Sequence, residues 1–454
     1  MKKLFGTDGI RGKANTYPIT PEIALQLGKA IALYYKADRP NTVRAVIGKD
    51  TRLSGYMLET ALASGLVSMG MDVISVGPLP TPAIARLIKS FNADCGIMIT
   101  ASHNPYDDNG IKLFGPDGFK FPDSEEEKIE KLMFNGEIIS THVGTKLLGK
   151  AYRLEDARGR YIEFAKGTID DYSLKGLKIV LDCANGAAYA IAPWIFKELG
   201  AEVIKVAVEP DGFNINKNCG ATVPGNISNL VREHRADVGI SLDGDADRVI
   251  LLDSNGVVVN GDRILGMCAL TYKEKGKLNK DTLVATIMSN LGLKHAMHQS
   301  GINVEFTQVG DRYVIEKMRQ GNFNIGGEQS GHIIFMDYVT TGDGIITALH
   351  ILRMMKEQQK PLADLANCMD EFPQKLVNIR VKEKIPVEDV PELAAEIKKC
   401  ESELKDNGRV LVRYSGTENL IRIMVEAKTY KLADGWSKKI AAIAEQKLAG
   451  NKRE

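Results

Sequence analysis

Val43-Arg44-Ala45-Val46-Ile47, then Gly48-Lys49-Asp50-Thr51-Arg52-Leu53-Ser54-Gly55, then 58–69 and Asp72-Val73-Ile74-Ser75-Val76, is the stretch that decides the fold. Four of its first five residues are apolar and three are β-branched, with Arg44 the one charged residue, a composition that suits a buried strand. The next eight form a polar loop bounded by glycines. Residues 58–69 repeat apolar side chains at helical spacing and stop before Gly70, and 72–76 is a second apolar run. Strand, helix and strand in that order read as a crossover feeding a parallel pair. The layout returns at 177–181, with the loop Asp182-Cys183-Ala184-Asn185-Gly186, a helix closing near Leu199-Gly200 and a strand over 203–208. It returns again at 283–287, with Ser289-Asn290-Leu291-Gly292, a helix closing at Ser300-Gly301 and a strand over 304–307. The expectation is an α/β protein with three similar mixed α/β domains built on βαβ units. The tail differs: 409–414 and 420–426 read as strands around a tight loop, and 430–448 as an amphipathic helix, so a smaller α+β domain ends the chain. Domains are expected over 1–150, 151–253, 254–368 and 369–454. After Pro122, Ser124 with Glu127 reads as a capping box opening an acid-rich helix, a structural feature and not a site.

A length of 454 residues predicts about three domains. Apolar residues at 44% and charged residues at 26% are the balance of a folded globular protein. The 59 basic and 58 acidic residues leave almost no net field, which argues against nucleic acid as a partner and makes any phosphate binding local. The longest runs free of charge, 183–196 and 218–231, are too short for a bilayer, so no membrane partner is expected. Gly6-Thr7-Asp8-Gly9-Ile10-Arg11-Gly12 stands where a signal peptide needs an apolar segment, and a cytoplasmic location is expected. The six cysteines, 95, 183, 219, 268, 368 and 400, have no CxxC pairing and read as reduced packing residues.

Four loops can carry chemistry. Asp243-Gly244-Asp245-Ala246-Asp247-Arg248 lies between two apolar runs, so three carboxylates leave the end of a strand together. Their mutual repulsion calls for a cation, and hard oxygen donors suit Mg2+, with Mn2+ as an alternative. A calcium EF-hand is excluded by Arg248 where glycine is needed and Ser254 where a bidentate glutamate is needed. Thr100-Ala101-Ser102-His103-Asn104-Pro105, with Asn109-Gly110-Ile111-Lys112 after it, places a hydroxyl nucleophile at a strand end near an imidazole and an ammonium. It lacks the GxSxG elbow of acyl transfer. Phosphoryl transfer fits better, because a phosphoserine could complete the ion's coordination; a turn cap before Pro105 is the alternative. Gly326-Gly327-Glu328-Gln329-Ser330-Gly331-His332 crowds donors and acceptors that suit a polyhydroxylated ligand, or a polar surface turn. Arg413-Tyr414-Ser415-Gly416-Thr417-Glu418 offers backbone N–H groups, hydroxyls and a guanidinium fork to a phosphate dianion, or forms a bare hairpin.

Taken together and in this order, the four loops, with the 6–12 segment and Val309-Gly310-Asp311-Arg312, resemble the α-D-phosphohexomutase superfamily over essentially the whole chain. Their variants resemble its phosphoglucosamine mutase branch. The resemblance implies a four-domain, heart-shaped enzyme with one loop from each domain in a central cleft. It implies isomerisation of glucosamine 6-phosphate to glucosamine 1-phosphate, on the way to UDP-N-acetylglucosamine and peptidoglycan precursors. Ser102 would carry the phosphate, and Asp243, Asp245 and Asp247 with the phosphoserine oxygen would hold Mg2+. Arg11, Lys112 and Arg248 would stabilise the transferring group, with Lys112 or His103 moving protons. Glu328 and Ser330 would hold sugar hydroxyls beside His332, while Arg413, Ser415, Gly416 and Thr417 would hold the idle phosphate. A glucosamine 1,6-bisphosphate intermediate is implied, in a monomer or homodimer. Asn419 departs from the proline common there in that superfamily. A phosphomannomutase/phosphoglucomutase, a phosphatase using the same metal loop, and a phosphosugar-binding regulator are the competing readings. The regulator would have no use for Ser102 and three aspartates together.

Overall fold

The computed structural model describes residues 4–6, 8–38, 43–414 and 419–449. Its contacts divide the chain into two units, Met1–Met288 with Gly301–Cys368, and Ser289–Ser300 with Met369–Glu454.

The first unit contains three sheets. In the first, strands β1 (Ile10–Lys13), β2 (Arg44–Lys49), β3 (Asp72–Pro78), β4 (Cys95–Ile99), β5 (Asp108–Phe114) and β6 (Ala151–Arg153) lie in the order β1-β5-β4-β2-β3-β6. The second holds β7 (Lys178–Asp182), β8 (Glu202–Val206), β9 (Val238–Leu242), β10 (Val249–Leu252) and β11 (Val258–Val259), ordered β11-β10-β9-β7-β8. The third holds β12 (Thr282–Thr286), β13 (Asn303–Thr307), β14 (Ile325–Gly327) and β15 (Ile333–Phe335), ordered β13-β12-β14-β15.

The three share one topology. The strand pairs read from the sequence, β2 with β3, β7 with β8 and β12 with β13, are each parallel. A third parallel strand, β4, β9 or β14, lies on the far side of the first and then turns back into an antiparallel neighbour, β5, β10 or β15. Strands β4, β9 and β14 are buried along their full length, as strands covered on both faces must be; β4 and β9 read as apolar runs, whereas Gly326 and Gly327, expected in a glycine-rich loop, form the end of β14. In the first sheet's core, Leu27 and Ile31 of the helix Pro21–Asp38 pack with Leu58, Leu62 and Leu66 of the helix Ser54–Ser68.

The helix Asp123–Met133 corrects one expectation. Ser124 is not its cap: Pro122, in extended conformation, precedes the first turn, and no side chain caps the end. Proline fixes the lead-in, and Asp123, Glu125 and Glu126 occupy the first turn. The structural reading of these acids holds, since Asp123 and Glu126 pair with Arg312, and Glu130 accepts the Leu4 and Phe5 N–H groups. All six cysteines are free thiols, five of them buried. No helix among the described residues is long and apolar enough to cross a membrane.

The second unit is an antiparallel sheet of β16 (Gln374–Arg380), β17 (Gly408–Tyr414) and β18 (Leu420–Ala427) in the order β16-β18-β17, with helices Pro391–Leu404 and Tyr430–Leu448. Its core gathers Ile421, Ile423 and Val425 with Leu393, Trp436 and Ile440. The helix Leu291–Gln299, expected as the third crossover, is tied to this unit. Leu291 N–H donates to Glu426 (3.2 Å), and Asn290 Nδ2 to the Phe372 carbonyl (2.9 Å).

Candidate active site

Three of the four chemistry-bearing loops occupy equivalent places in the repeat. Ser102 follows β4, Asp243 follows β9 and Glu328 follows β14, each at the turn from a parallel strand into its antiparallel neighbour. Ligands of such sheets bind off the carboxyl ends of the strands.

The first two loops meet. Ser102 Oγ donates to Asp243 Oδ2 at 2.7 Å, and its backbone lies in the left-handed region at φ +51°. Gly244 has no room for a side chain, since a β-carbon there would lie 2.6 Å from the Ser102 carbonyl oxygen. Asp243, Asp245 and Asp247 each bring a carboxylate oxygen within 4.8 Å of the others, and all three are buried. Burial, then Asp247 and Asp245, pushes the Asp243 carboxyl well above its ordinary range. Burial also opposes ionisation of Asp245, but Lys112 and the Thr81 hydroxyl overcome it and hold Asp245 below that range. Asp245 Oδ1 and Asp247 Oδ1 are buried with no hydrogen-bond partner among the described residues. Orphaned carboxylate oxygens facing a shared point fit a hard divalent cation, and Asp243, Asp245 and Asp247 are the residues that would hold it.

Cations surround this cluster. Lys112 Nζ lies 2.9 Å from Asp245, 3.4 Å from Asp8 and 3.6 Å from Asp247. Burial would lower its pKa, but Asp245, Asp8 and Asp247 raise it, so Lys112 is an ammonium that can donate and not accept. Arg11 pairs with Asp8, and Arg248 Nε lies 3.8 Å from Asp247 Oδ1. His103 Nδ1 lies 3.4 Å from Ser102 Oγ. Burial, then Arg248 and Arg11, lowers His103 to about 4, leaving a neutral imidazole at pH 7.

The third loop closes on the second, with Val249 N–H donating to the Gly331 carbonyl at 3.0 Å. Glu328 Oε1 accepts the Gly310 N–H (3.0 Å) and Ser330 is exposed. His332, 1% exposed, accepts the Gly342 N–H at Nε2 (3.2 Å), with Asp247 and Asp311 at 3.8 and 3.7 Å. Its Nδ1 is buried without a partner among the described residues.

Arg413 belongs to the second unit, at the end of β17. It stands across the ladder from Arg422, and burial with that neighbour lowers its pKa. Ser415, Gly416 and Thr417 lie outside the described residues.

Four domains described for "Phosphoglucomutase/phosphomannomutase" match in order: alpha/beta/alpha domain I over residues 2–139, domain II over 159–256, domain III over 260–372 and the C-terminal domain over 376–443. A phosphoglucosamine mutase of Geotalea daltonii is 55% identical over 453 residues, covering 100% of both chains. The chain belongs to the phosphoglucosamine mutase family. Among solved structures, a phosphoglucomutase/phosphomannomutase family protein of Burkholderia thailandensis shares the fold at TM-score 0.81 and 23% identity, covering 100% of this chain and 99% of that one. An Aspergillus fumigatus N-acetylphosphoglucosamine mutase, solved with GlcNAc-6P and magnesium, aligns at TM-score 0.66 and 18% identity over 98% of this chain and 95% of that one.

The mutase uses partners that the sequence reading did not single out. Thr81 binds Asp245 through Oγ1 (2.6 Å to Oδ2) and through its N–H (3.0 Å to the carbonyl). Asp8 gathers Lys112, Lys120 and Arg11, which outweigh its burial and hold it well below the usual carboxylate range. Lys120 also pairs with Asp311, linking the first sheet's loops to the third's. Asp8 and Asp311 stand inside the 6–12 and 309–312 stretches that carry the family resemblance. Thr81 carried no signal, because its partner is 164 residues away.

Proposed function

We propose that this mutase interconverts glucosamine 6-phosphate and glucosamine 1-phosphate through a phosphoserine at Ser102 and a glucosamine 1,6-bisphosphate. The observation that carries the reading is Ser102 Oγ at 2.7 Å from a buried three-aspartate cluster with orphaned oxygens. The phosphoryl group leaves Ser102 Oγ for the 1-hydroxyl of the 6-phosphate. That hydroxyl gives up its proton and the serine oxygen takes one as it leaves, with His103, beside Ser102 Oγ, or Lys112 moving the protons. The bisphosphate turns end for end and returns its 6-phosphate to Ser102, releasing the 1-phosphate. Such transfers are accelerated by positioning and charge neutralisation. Mg2+, when bound by Asp243, Asp245 and Asp247, supplies positive charge against the phosphoryl oxygens. Arg11, Lys112 and Arg248 supply the remainder, Glu328, Ser330 and His332 hold the sugar, and Arg413 with Ser415, Gly416 and Thr417 holds the idle phosphate. The relatives' names and the cation-and-hydroxyl chemistry of the site support this assignment.

The sugar is tested by kcat/KM on glucosamine, glucose and mannose 6-phosphates side by side. The three share every group except the 2-substituent, an ammonium, an equatorial hydroxyl or an axial one, and Glu328 is a carboxylate available to the cation. The glucosamine compound is expected to be used most efficiently, with weak side activity on the others. Equal or greater efficiency on glucose or mannose 6-phosphate would place the enzyme in the phosphoglucomutase/phosphomannomutase branch.

Arg413→Ala is expected to raise KM for both monophosphates, by about 10-fold to 150-fold, since a charge-assisted hydrogen bond contributes about 1.5 to 3 kcal/mol. Unchanged KM in both directions would remove the β17 end from phosphate binding.

A further inference from the structure

The left-handed backbone of Ser102 is a conformation that side chains other than glycine rarely adopt, and it persists only where surrounding groups impose it. The groups are identifiable here. The Ser102 carbonyl accepts from Asn216 Nδ2 at 2.8 Å and from Arg52 Nη2 at 3.2 Å. The Asn104 carbonyl accepts from the same two side chains, Asn216 at 3.0 Å. On the other side, the Ser102 N–H donates to Thr100 Oγ1 (2.9 Å), whose hydroxyl donates to Asp50 Oδ2 (2.6 Å), and Asp50 pairs with the Arg52 guanidinium. Arg52 is 0% exposed and Asp50 1%, so a full ion pair lies beneath the serine loop. Apolar residues of similar volume in place of such a pair are often neutral or stabilising, so its presence is weak evidence for a stabilising role. What the pair and Asn216 do hold is the peptide geometry on both sides of one serine.

We infer that Arg52 and Asn216 are positioning residues for phosphoryl transfer, clamping the Ser102 and Asn104 carbonyls so that Ser102 Oγ stays at its place beside the aspartate loop. The inference rests on the proposed role of Ser102. Both side chains bond to the serine's carbonyl and not to its Oγ, so both act through the main chain. Asn216 comes from the second repeat, so the clamp also fixes the register between the loop that carries the nucleophile and the sheet that carries the aspartates.

Three variants test this. Asn216 is itself left-handed at φ +59°, so Asn216→Gly removes the amide and keeps the backbone. Asn216→Asp sets an acceptor against two carbonyl oxygens. Arg52→Lys keeps the charge and loses the fork. Each is expected to lower kcat by about 10-fold to 100-fold while KM moves by less than about threefold, because an ångström of misplacement costs that much in rate and leaves sugar binding intact. The single-turnover rate of phosphate loss from phosphorylated Ser102 to added glucosamine 6-phosphate should fall in step, with Asn216→Asp at least as impaired as Asn216→Gly. Wild-type kcat in both Asn216 variants, with or without a lower Tm or a changed KM, would overturn the inference, and these two decide it if Arg52→Lys fails to fold. The wild-type protein separates the two levels. No isomerisation by it would defeat the proposed function, whereas active wild type with undiminished Asn216 variants would defeat the clamp alone.

Discussion

Ser102→Ala is expected to lose at least about 10³-fold in kcat, since an alanine has no oxygen to carry the phosphoryl group and, among the described residues, no other hydroxyl bonds to Asp243. Stability should change little by comparison. The side chain removed is small, and the main-chain bonds that hold residue 102, from Thr100, Arg52 and Asn216, do not involve its hydroxyl. Peptide mass spectrometry of active wild-type protein should place one phosphate on the peptide containing Ser102, and specific activity should scale with its occupancy. Turnover by the alanine variant at the wild-type rate would remove the serine from the mechanism.

Asp245→Ala is the second large effect, expected to lower kcat by about 10² to 10³, the range typical of removing a group that meets charge moving in the transition state. The KM for sugar phosphate should change far less. Asp245 also neutralises buried Lys112, so the variant strips an ion pair as well as a candidate metal ligand. Chelation separates the two. EDTA acts on the ion alone, so wild-type enzyme should lose activity in EDTA and recover with Mg2+, leaving the Lys112–Asp245 contact in place. A rate indifferent to chelation would make the three aspartates a structural turn.

The parts of this protein that local pattern encodes were legible in its sequence. The strands β2, β3, β7, β8, β12 and β13 are short apolar runs flanked by glycine-bearing loops, and their parallel pairing follows from the helix between each pair. The helix Tyr430–Leu448 was readable to the residue from its amphipathic spacing. By contrast β16 is an edge strand in which Gln374, Lys375, Asn378 and Arg380 interrupt the apolar residues without regular alternation and Leu376 is 46% exposed, so its pattern is diluted. The helix start at Asp123 was misplaced because Ser124 and Glu127 satisfy the spacing of a capping box, while Pro122 had already set the entry.

Within the site, residues carried by distinctive loops were found even where they meet only through folding, as Ser102 and Asp243 do, and lone residues outside those loops were not. Asp243, Asp245 and Asp247 betray themselves as three like charges between two strands. Arg52 looked like an ordinary loop arginine, although it is fully buried and binds two carbonyls about fifty residues along the chain. Asn216 and Thr81 sit 114 and 164 residues from the groups they hold. Such contacts are created by the stacking of the repeats, and a single sequence carries no local trace of them.

In the proposed reaction, phosphate moves between two positions of one sugar without passing to water. Phosphorus NMR of the purified, phosphorylated protein with Mg2+, a trace of glucosamine 1,6-bisphosphate and excess glucosamine 6-phosphate tests it most directly. The glucosamine 1-phosphate signal is expected to grow to an equilibrium level while inorganic phosphate stays flat. Accumulating inorganic phosphate without the 1-phosphate, or a 6-phosphate signal that never changes, would contradict it.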